Sequence, residues 1–158
     1  MNGEYLAIAG RIHNELEELK RVVERTESIW GHARMSSDDY YVDATALNLQ
    51  SFYTGIERLF ELIADGVDQS KPSGMNWHQE LLRQMTIEIK GVRPPVISLR
   101  LRDKLDKYRG FRHVVRNVYT YTLDPDLVKI LVADLQSVYQ GAQSELELFA
   151  GFLEQIAR

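Results

Sequence analysis

Residues 5–30 read YLAIAGRIHNELEELKRVVERTESIW, and the apolar side chains of this stretch recur at steps of three and four residues. This spacing places them on one face of an α-helix, because an α-helix turns once in 3.6 residues. The apolar positions are Tyr5, Ile8, Ala9, Ile12, Leu16, Leu19, Val23 and Trp30. The opposite face carries glutamates and arginines, which suit contact with water. The stretch therefore predicts a long amphipathic helix over about residues 3–33, whose apolar face must pack against other helices.

The same periodicity recurs four more times, and each run follows residues whose side chains can cap a helix N-terminus. The predicted caps lie at residues 36–39, Asn76, Ser98 and Asp124, and Pro125 follows the last of them. The second helix should extend to about Asp68, and the third must end before Pro94 and Pro95, which remove two backbone donors. No stretch alternates with a period of two. We therefore predict an all-α, up-and-down bundle of four to five helices, in one domain over residues 1–158.

The composition excludes several classes of protein. The chain has 158 residues, 44% of them hydrophobic, a net charge of −4 and no cysteine. These values fit one globular domain, and they exclude a disulfide scaffold and a cysteine-based zinc site. The Glu-x-x-His pattern of carboxylate metal bundles is missing from the sequence, so we predict no metal and no cofactor. Since the chain also lacks a long apolar run and a secretory signal pattern, we expect a cytoplasmic protein without membrane contact.

Positive charge is concentrated in residues 83–116, which hold ten basic residues against three acidic ones. This segment carries +7, and the rest of the chain therefore carries −11. An acidic protein with one basic segment can attract a polyanion locally while staying soluble. A solvated basic helix face explains the same count, and charge alone does not choose between the two interpretations.

Residues 108–121, YRGFRHVVRNVYTY, contain more hydrogen-bonding side chains than a purely structural helix needs. Arg112 and Tyr119 are seven residues apart and should lie on nearly the same helix face, with Arg116 close by. Arginine offers a fork of N–H donors to a phosphate, and tyrosine offers a ring on which a base can stack. The stretch therefore predicts contact with nucleic acid.

This stretch resembles the motif of the HEPN superfamily of all-helical ribonucleases, in its HepT-like toxin branch. The family motif is an arginine, four to six residues, a histidine, one residue and a tyrosine. The matching positions are Arg112, Asn117 and Tyr119. Further similarity lies in FYTGIE at residues 52–57 and NWHQELL at residues 76–82. The resemblance thus covers most of residues 43–127 and implies a HEPN-like bundle.

The resemblance also implies a function. HEPN toxins cleave RNA, either tRNA or mRNA, without a metal. The cleft that carries the site commonly lies between the subunits of a homodimer. Arg112 would stabilise the charge of the phosphorane, and Arg109, His113 and Arg116 would bind RNA. In the HepT-like branch a minimal nucleotidyltransferase antitoxin adds AMP to the motif tyrosine. By resemblance the AMPylation target is Tyr119, with Tyr121 as a second acceptor.

Asn117 stands where the family motif has its histidine. An amide does not take up a proton near neutral pH, so Asn117 cannot serve as the general base, although it can hydrogen-bond a sugar or a phosphate. Three explanations stay open. In the first, Asn117 is a natural variation that keeps RNA binding without normal cleavage. In the second, it is an introduced substitution. In the third, His113 or His78 acts as the base instead.

Geometry sets a further condition on the motif. Five residues along a straight helix rotate by roughly 140°, so Arg112 and Asn117 should not face one cleft directly. They can share a site if the helix is distorted or ends there, with Gly110 as a weak point, or if two subunits complete the site together.

Two residues outside the motif helix are supporting candidates. Glu57 lies within an apolar helix, and we predict that it pairs with an arginine of the motif helix and orients it. His78 follows Trp77 and is either a local structural residue or part of the site. The alternative to a toxin is a non-catalytic helical bundle that acts only by binding a partner protein.

Overall fold

The computed structural model describes residues 2–117 and 123–158, and in these ranges the chain forms five α-helices and no strand. The helices are α1 (Asn2–Met35), α2 (Tyr40–Ile63), α3 (Trp77–Gln84), α4 (Leu99–Asn117) and α5 (Pro125–Ile156). A π-helical segment, Ala64–Asp68, continues α2. The predicted all-α bundle is therefore confirmed. Its two longest helices, α1 with 34 residues and α5 with 32, are each about 50 Å long at 1.5 Å per residue.

The helix starts show which of the predicted caps form. Ser98 Oγ accepts a hydrogen bond from the N–H of Leu101 at 3.1 Å, and Asp124 Oδ1 accepts one from the N–H of Asp126 at 3.0 Å. Asn76 is the N-cap residue of α3, as predicted, but its side chain makes no capping hydrogen bond. The N–H of Trp77 instead bonds to the carbonyl of Gly74 in a preceding turn, so backbone replaces the side chain at this end of α3.

The core lies between α1, α2 and α5, with α4 packed against α2 and α5. The predicted apolar face of α1 is buried from Ile8 to Val23. Two buried tyrosine hydroxyls bond to helix carbonyls across the bundle, Tyr139 to Leu16 at 2.8 Å and Tyr108 to Leu131 at 2.6 Å. The short helix α3 packs Leu81 and Leu82 into this core and bridges α2 and α4, which places its first turn beside the second half of α4.

A buried ion pair fixes the segment between α3 and α4. Arg93 Nε lies 2.6 Å from Asp68 Oδ1, and both side chains are fully buried. The remaining donors of Arg93 bond to Asp68 Oδ2 and to the carbonyls of Gln84, Ile87 and Pro94. Asp68 ends the π-helical segment, so this pair ties the far end of α3 and the following turn to the end of α2.

Candidate functional site

Arg112 is buried in the bundle, where it pairs with Glu57. Its Nη2 lies 2.8 Å from Glu57 Oε1 and 2.9 Å from Oε2, and its Nη1 donates to Thr54 Oγ1 at 3.1 Å. Only 3% of Arg112 is exposed. The structure thus contains the pairing that the sequence predicts for Glu57. The pair also explains why α2 tolerates a buried carboxylate, because an uncompensated one would cost several kcal/mol.

Tyr53 lies beneath the guanidinium of Arg112. The Cζ atom of Arg112 is 4.8 Å from the centroid of the Tyr53 ring, a distance at which a cation is attracted to the ring face. Burial raises the pKa of the Tyr53 phenol well above its ordinary value, so the phenol stays neutral. Its hydroxyl has no hydrogen-bond partner among the described residues. Tyr53 therefore supports Arg112 through its ring and not through its hydroxyl.

His78 approaches the same carboxylate from α3. Its Nδ1 is 2.8 Å from Glu57 Oε2 and 3.1 Å from Arg112 Nη2. The imidazole ring packs on the ring of Trp77 with centroids 3.7 Å apart. The side chain of His78 is about one-third exposed, at 32%. Glu57 therefore holds two cationic or potentially cationic groups, one from α4 and one from α3.

These groups form the floor of a pocket of about 260 Å³ between the first turn of α3 and the second half of α4. The lining residues are Met75, His78, Arg109, Arg112, His113, Arg116 and Asn117. Three arginines and two histidines with no carboxylate among them make this a pocket suited to an anion. Six of the predicted site residues thus lie together, with Glu57 directly behind them.

Two sequence expectations need correction here. We expected Arg112 to offer its fork of N–H donors to a phosphate, but the Glu57 carboxylate holds the guanidinium inside, and only its edge reaches the pocket. We also expected Arg112 and Asn117 to share a cleft only if the helix is distorted or ends there, or if a second subunit completes the site. The chain is α-helical through Asn117, yet both residues line one pocket, because the long Arg112 side chain forms its floor and Asn117 lies at its rim.

The rim of the pocket is exposed. His113, Arg116 and Asn117 are open to solvent, and the amide of Asn117 donates to the carbonyl of His113 at 2.8 Å. Arg109 is half-buried and its Nε donates to Asp106 Oδ1 at 2.6 Å. The two remaining candidates, Tyr119 and Tyr121, lie outside the described residues.

The basic segment is weaker than its charge count indicates. Two of its ten basic residues, Arg93 and Arg112, are buried against the carboxylates of Asp68 and Glu57, which lie outside the segment. The excess that faces solvent is therefore +5 and not +7. A count of charged residues in the segment does not detect these pairs, because the carboxylates that neutralise the two arginines lie 25 and 55 residues away in the chain.

Sequence reasoning missed Tyr53 and Thr54 as parts of the site. The signal was present, since residues 53, 54 and 57 occupy neighbouring positions on one helix face at spacings of three and four. We noted this stretch only for its resemblance to a family.

Three further observations concern the described residues. No group of three or more histidine, aspartate or glutamate side chains in residues 2–117 and 123–158 could hold a metal ion. No helix in these ranges is long and apolar enough to cross a bilayer. A larger, more apolar groove of about 590 Å³ lies between residues 94–98 and α5, and it shares no lining residue with the pocket of Arg112.

Comparison with known proteins gives one match. The model of a family described as HepT-like protein matches residues 44–153, a range that contains every described residue of the pocket. No curated protein and no solved structure matches the chain.

Proposed function

The chain belongs to the HepT-like family, and on this basis we propose that it is the RNA-directed toxin of a toxin–antitoxin pair. The observation that carries the proposal is the pocket of α3 and α4, in which a buried arginine is held by a carboxylate beneath an exposed basic rim. A family match alone does not assign chemistry to particular side chains, whereas this arrangement does.

RNA binding is assigned to the rim. Arg116 and His113 are exposed, and Arg109 is half-buried beside them, so a phosphodiester strand that crosses the pocket meets several cationic donors. Arg112 has a different task. Because Glu57 and Thr54 already hold its guanidinium, it can stabilise the additional charge of a phosphorane without reorganising.

The proposed reaction is metal-independent cleavage, as the family resemblance implies, by attack of a ribose 2′-OH on the adjacent phosphorus. This reaction needs a proton acceptor in addition to a cation. Asn117 does not meet that need, and its amide already donates to the carbonyl of His113. The acceptor must therefore come from another residue, or the chain binds RNA without cutting it.

Two partners complete the proposal. A second copy of the chain is proposed to cover the apolar residues beside the pocket, where Met75 is 98% exposed and Val114 is 50% exposed. A minimal nucleotidyltransferase is proposed as the antitoxin, with Tyr119 and Tyr121 as its acceptors for AMP. Both tyrosines follow α4 directly in the chain and therefore lie close in sequence to the rim.

The test is RNA binding by the full chain as a function of salt. Arg116→Glu should weaken binding of tRNA or total RNA about tenfold or more and reduce the dependence of log Kd on log salt, because a phosphate contact and its counterion release are lost. Arg100→Glu is the matched control, since Arg100 is an exposed arginine at the opposite end of the same helix. Equal effects of the two variants would assign RNA binding to net charge alone.

The alternative is a non-catalytic bundle that binds only a partner protein. The apolar groove between residues 94–98 and α5 favours it, because such grooves accept apolar side chains of a partner. Absence of RNA binding by the unmodified chain would support this alternative and reject the toxin proposal.

A further inference from the structure

We propose that His78, held by Glu57, is the proton acceptor of the pocket and acts in place of the histidine that the HEPN motif places at position 117. The inference rests on the proposed RNA-cleaving function. It names the residue that takes the proton of the 2′-OH, and it selects one of the explanations that the sequence leaves open.

The hydrogen-bond geometry fixes which ring nitrogen is available. An ionised carboxylate only accepts hydrogen bonds, so the 2.8 Å contact between His78 Nδ1 and Glu57 Oε2 requires the hydrogen on Nδ1. Neutral His78 then carries its lone pair on Nε2. Arg112 Nη2 donates to the same carboxylate and lies 3.1 Å from His78 Nδ1; with the hydrogen on Nδ1, this contact is a close approach of two donors and not a hydrogen bond. Nε2 is therefore the ring nitrogen of His78 that can take up a proton.

Glu57 and Trp77 also orient the ring. The carboxylate holds one edge of the imidazole, and the Trp77 ring covers one of its faces at a centroid distance of 3.7 Å. What remains of the side chain, about one-third of its surface, is open and lines the pocket. A carboxylate that orients a histidine and stabilises its protonated form is a recurring arrangement for a general base.

The other histidine of the pocket lacks this support. His113 is exposed at the rim, and the contacts of its ring within the described residues are limited to the amide of Asn117 at 3.3 Å from Nδ1. No carboxylate of the described residues pairs with it. An imidazole that no acid orients is a weaker candidate than His78.

The proposed step balances as follows. The 2′-OH transfers its proton to His78 Nε2, the 2′-oxygen forms a bond to the adjacent phosphorus, and the bond from phosphorus to the 5′-oxygen breaks. The leaving 5′-oxygen takes a proton from water, and His78 then returns its proton to the hydroxide so formed. The products are a 2′,3′-cyclic phosphate and a 5′-hydroxyl. Arg112, which contacts the same Glu57 oxygen as His78, stabilises the charge of the phosphorane.

The experiment compares the unmodified chain with His78→Asn and His113→Asn. Asparagine at position 78 keeps an N–H that can donate to Glu57 but offers no nitrogen that takes up a proton. We expect His78→Asn to lower the single-turnover cleavage rate of RNA by about 10²- to 10⁴-fold. Its Kd for a 2′-O-methylated RNA, which cannot be cleaved by this route, should stay within about twofold. His113→Asn should raise the Kd, because it removes a proposed RNA contact. The control is His32→Asn, at an exposed histidine of α1 outside the pocket, which should cleave at the unmodified rate.

A second variant guards against loss of structure. His78→Gly leaves space for a free imidazole on Trp77, and addition of imidazole should restore cleavage in proportion to its concentration. Cleavage by His78→Asn at the unmodified rate, or failure of imidazole to restore any cleavage, would overturn the inference. If the unmodified chain binds RNA but does not cut it, the inference about His78 is overturned, while the proposal that the chain is directed at RNA is not. A chain that does not bind RNA at all would overturn the proposed function.

Discussion

The basic segment contributes an arginine to each of two buried ion pairs, Arg93 with Asp68 and Arg112 with Glu57. The two arginines are about equally buried, but they differ in how many of their N–H donors are matched by acceptors in the protein. Every N–H of Arg93 is matched by an acceptor in the protein, two on Asp68 and three on backbone carbonyls. In the part of the chain that the structure describes, the donors of Arg112 reach only Glu57, Thr54 and the edge of His78. Among the described residues, the first arginine is saturated and the second is not. Saturation, and not burial, thus distinguishes Arg93 from Arg112, to which we assign the proposed function.

Removal of the saturated arginine should have the largest effect on stability. Arg93→Met leaves the fully buried Asp68 carboxylate unpaired, and we expect the free energy of unfolding to fall by about 3–5 kcal/mol in urea titrations. Adding Asp68→Asn should recover part of this loss, because the orphaned group is then neutral. Arg102→Ala is the control, since its partner Asp103 is exposed, and it should change stability by less than about 1 kcal/mol. Similar losses for Arg93→Met and Arg102→Ala would show that the saturated pair contributes no more than a surface pair.

Neutralisation of the shared carboxylate should affect stability less and activity more. Glu57→Gln weakens the contacts to Arg112 and His78, and we expect a loss of about 1.5–3 kcal/mol in unfolding free energy. The cleavage rate should fall at least tenfold per folded molecule, because both groups lose their orientation. Glu61→Gln, one turn along α2, breaks only a partly exposed pair with Lys71. It should leave the unfolding free energy and the cleavage rate nearly unchanged. Full activity of Glu57→Gln would remove the distinction that we draw between the two arginines.

The smallest effect is expected from Tyr53→Phe. The ring under Arg112 is kept and only an unpartnered hydroxyl is removed, so stability at neutral pH should change by less than about 1 kcal/mol. Above pH 10 the two chains should diverge. Burial raises the pKa of the Tyr53 phenol in the folded state, so the unfolded chain loses this proton first and the unmodified protein loses stability as the pH rises past the ordinary tyrosine value of 10.0.

Tyr53→Phe removes this contribution, so the unfolding free energy of the variant should fall less steeply with pH. The slopes of the two chains should differ by about 1.4 kcal/mol per pH unit, the value for one titrating site. Denaturant titrations between pH 9 and pH 11 measure the slope. Identical slopes would show that the hydroxyl is solvated in the folded protein.

Much of the fold could be predicted from local sequence. Steps of three and four residues identified the helices, and Ser98 and Asp124 marked helix starts that the structure confirms. At Asn76 the start of α3 was predicted correctly but the capping hydrogen bond was not, because backbone satisfies the turn. The spacing of apolar residues in α2 also predicts that Leu47 faces the core, but that side chain is 62% exposed.

The candidate site was predictable in composition and not in geometry. Helix periodicity placed Arg109, Arg116 and His113 near Arg112, and an isolated glutamate in an apolar helix indicated the role of Glu57 as a partner. The position of His78 could not be derived in this way, because it depends on how α3 folds back between α2 and α4. The ion pair of Arg93 and Asp68 sets that path. The two residues are 25 positions apart, so their pairing produces no periodic pattern in the sequence.

The exposed position of Asn117 has a consequence for how this protein can change. Asn117 contributes no side chain to the interior, and the groups that hold α3 and α4 in place lie elsewhere, at Asp68, Arg93 and Glu57. Folding therefore exerts almost no constraint on position 117, and the residue there is free to vary under selection for chemistry alone. Under the proposed function, contact of the rim with RNA can therefore be strengthened or weakened through that single codon while the scaffold stays intact.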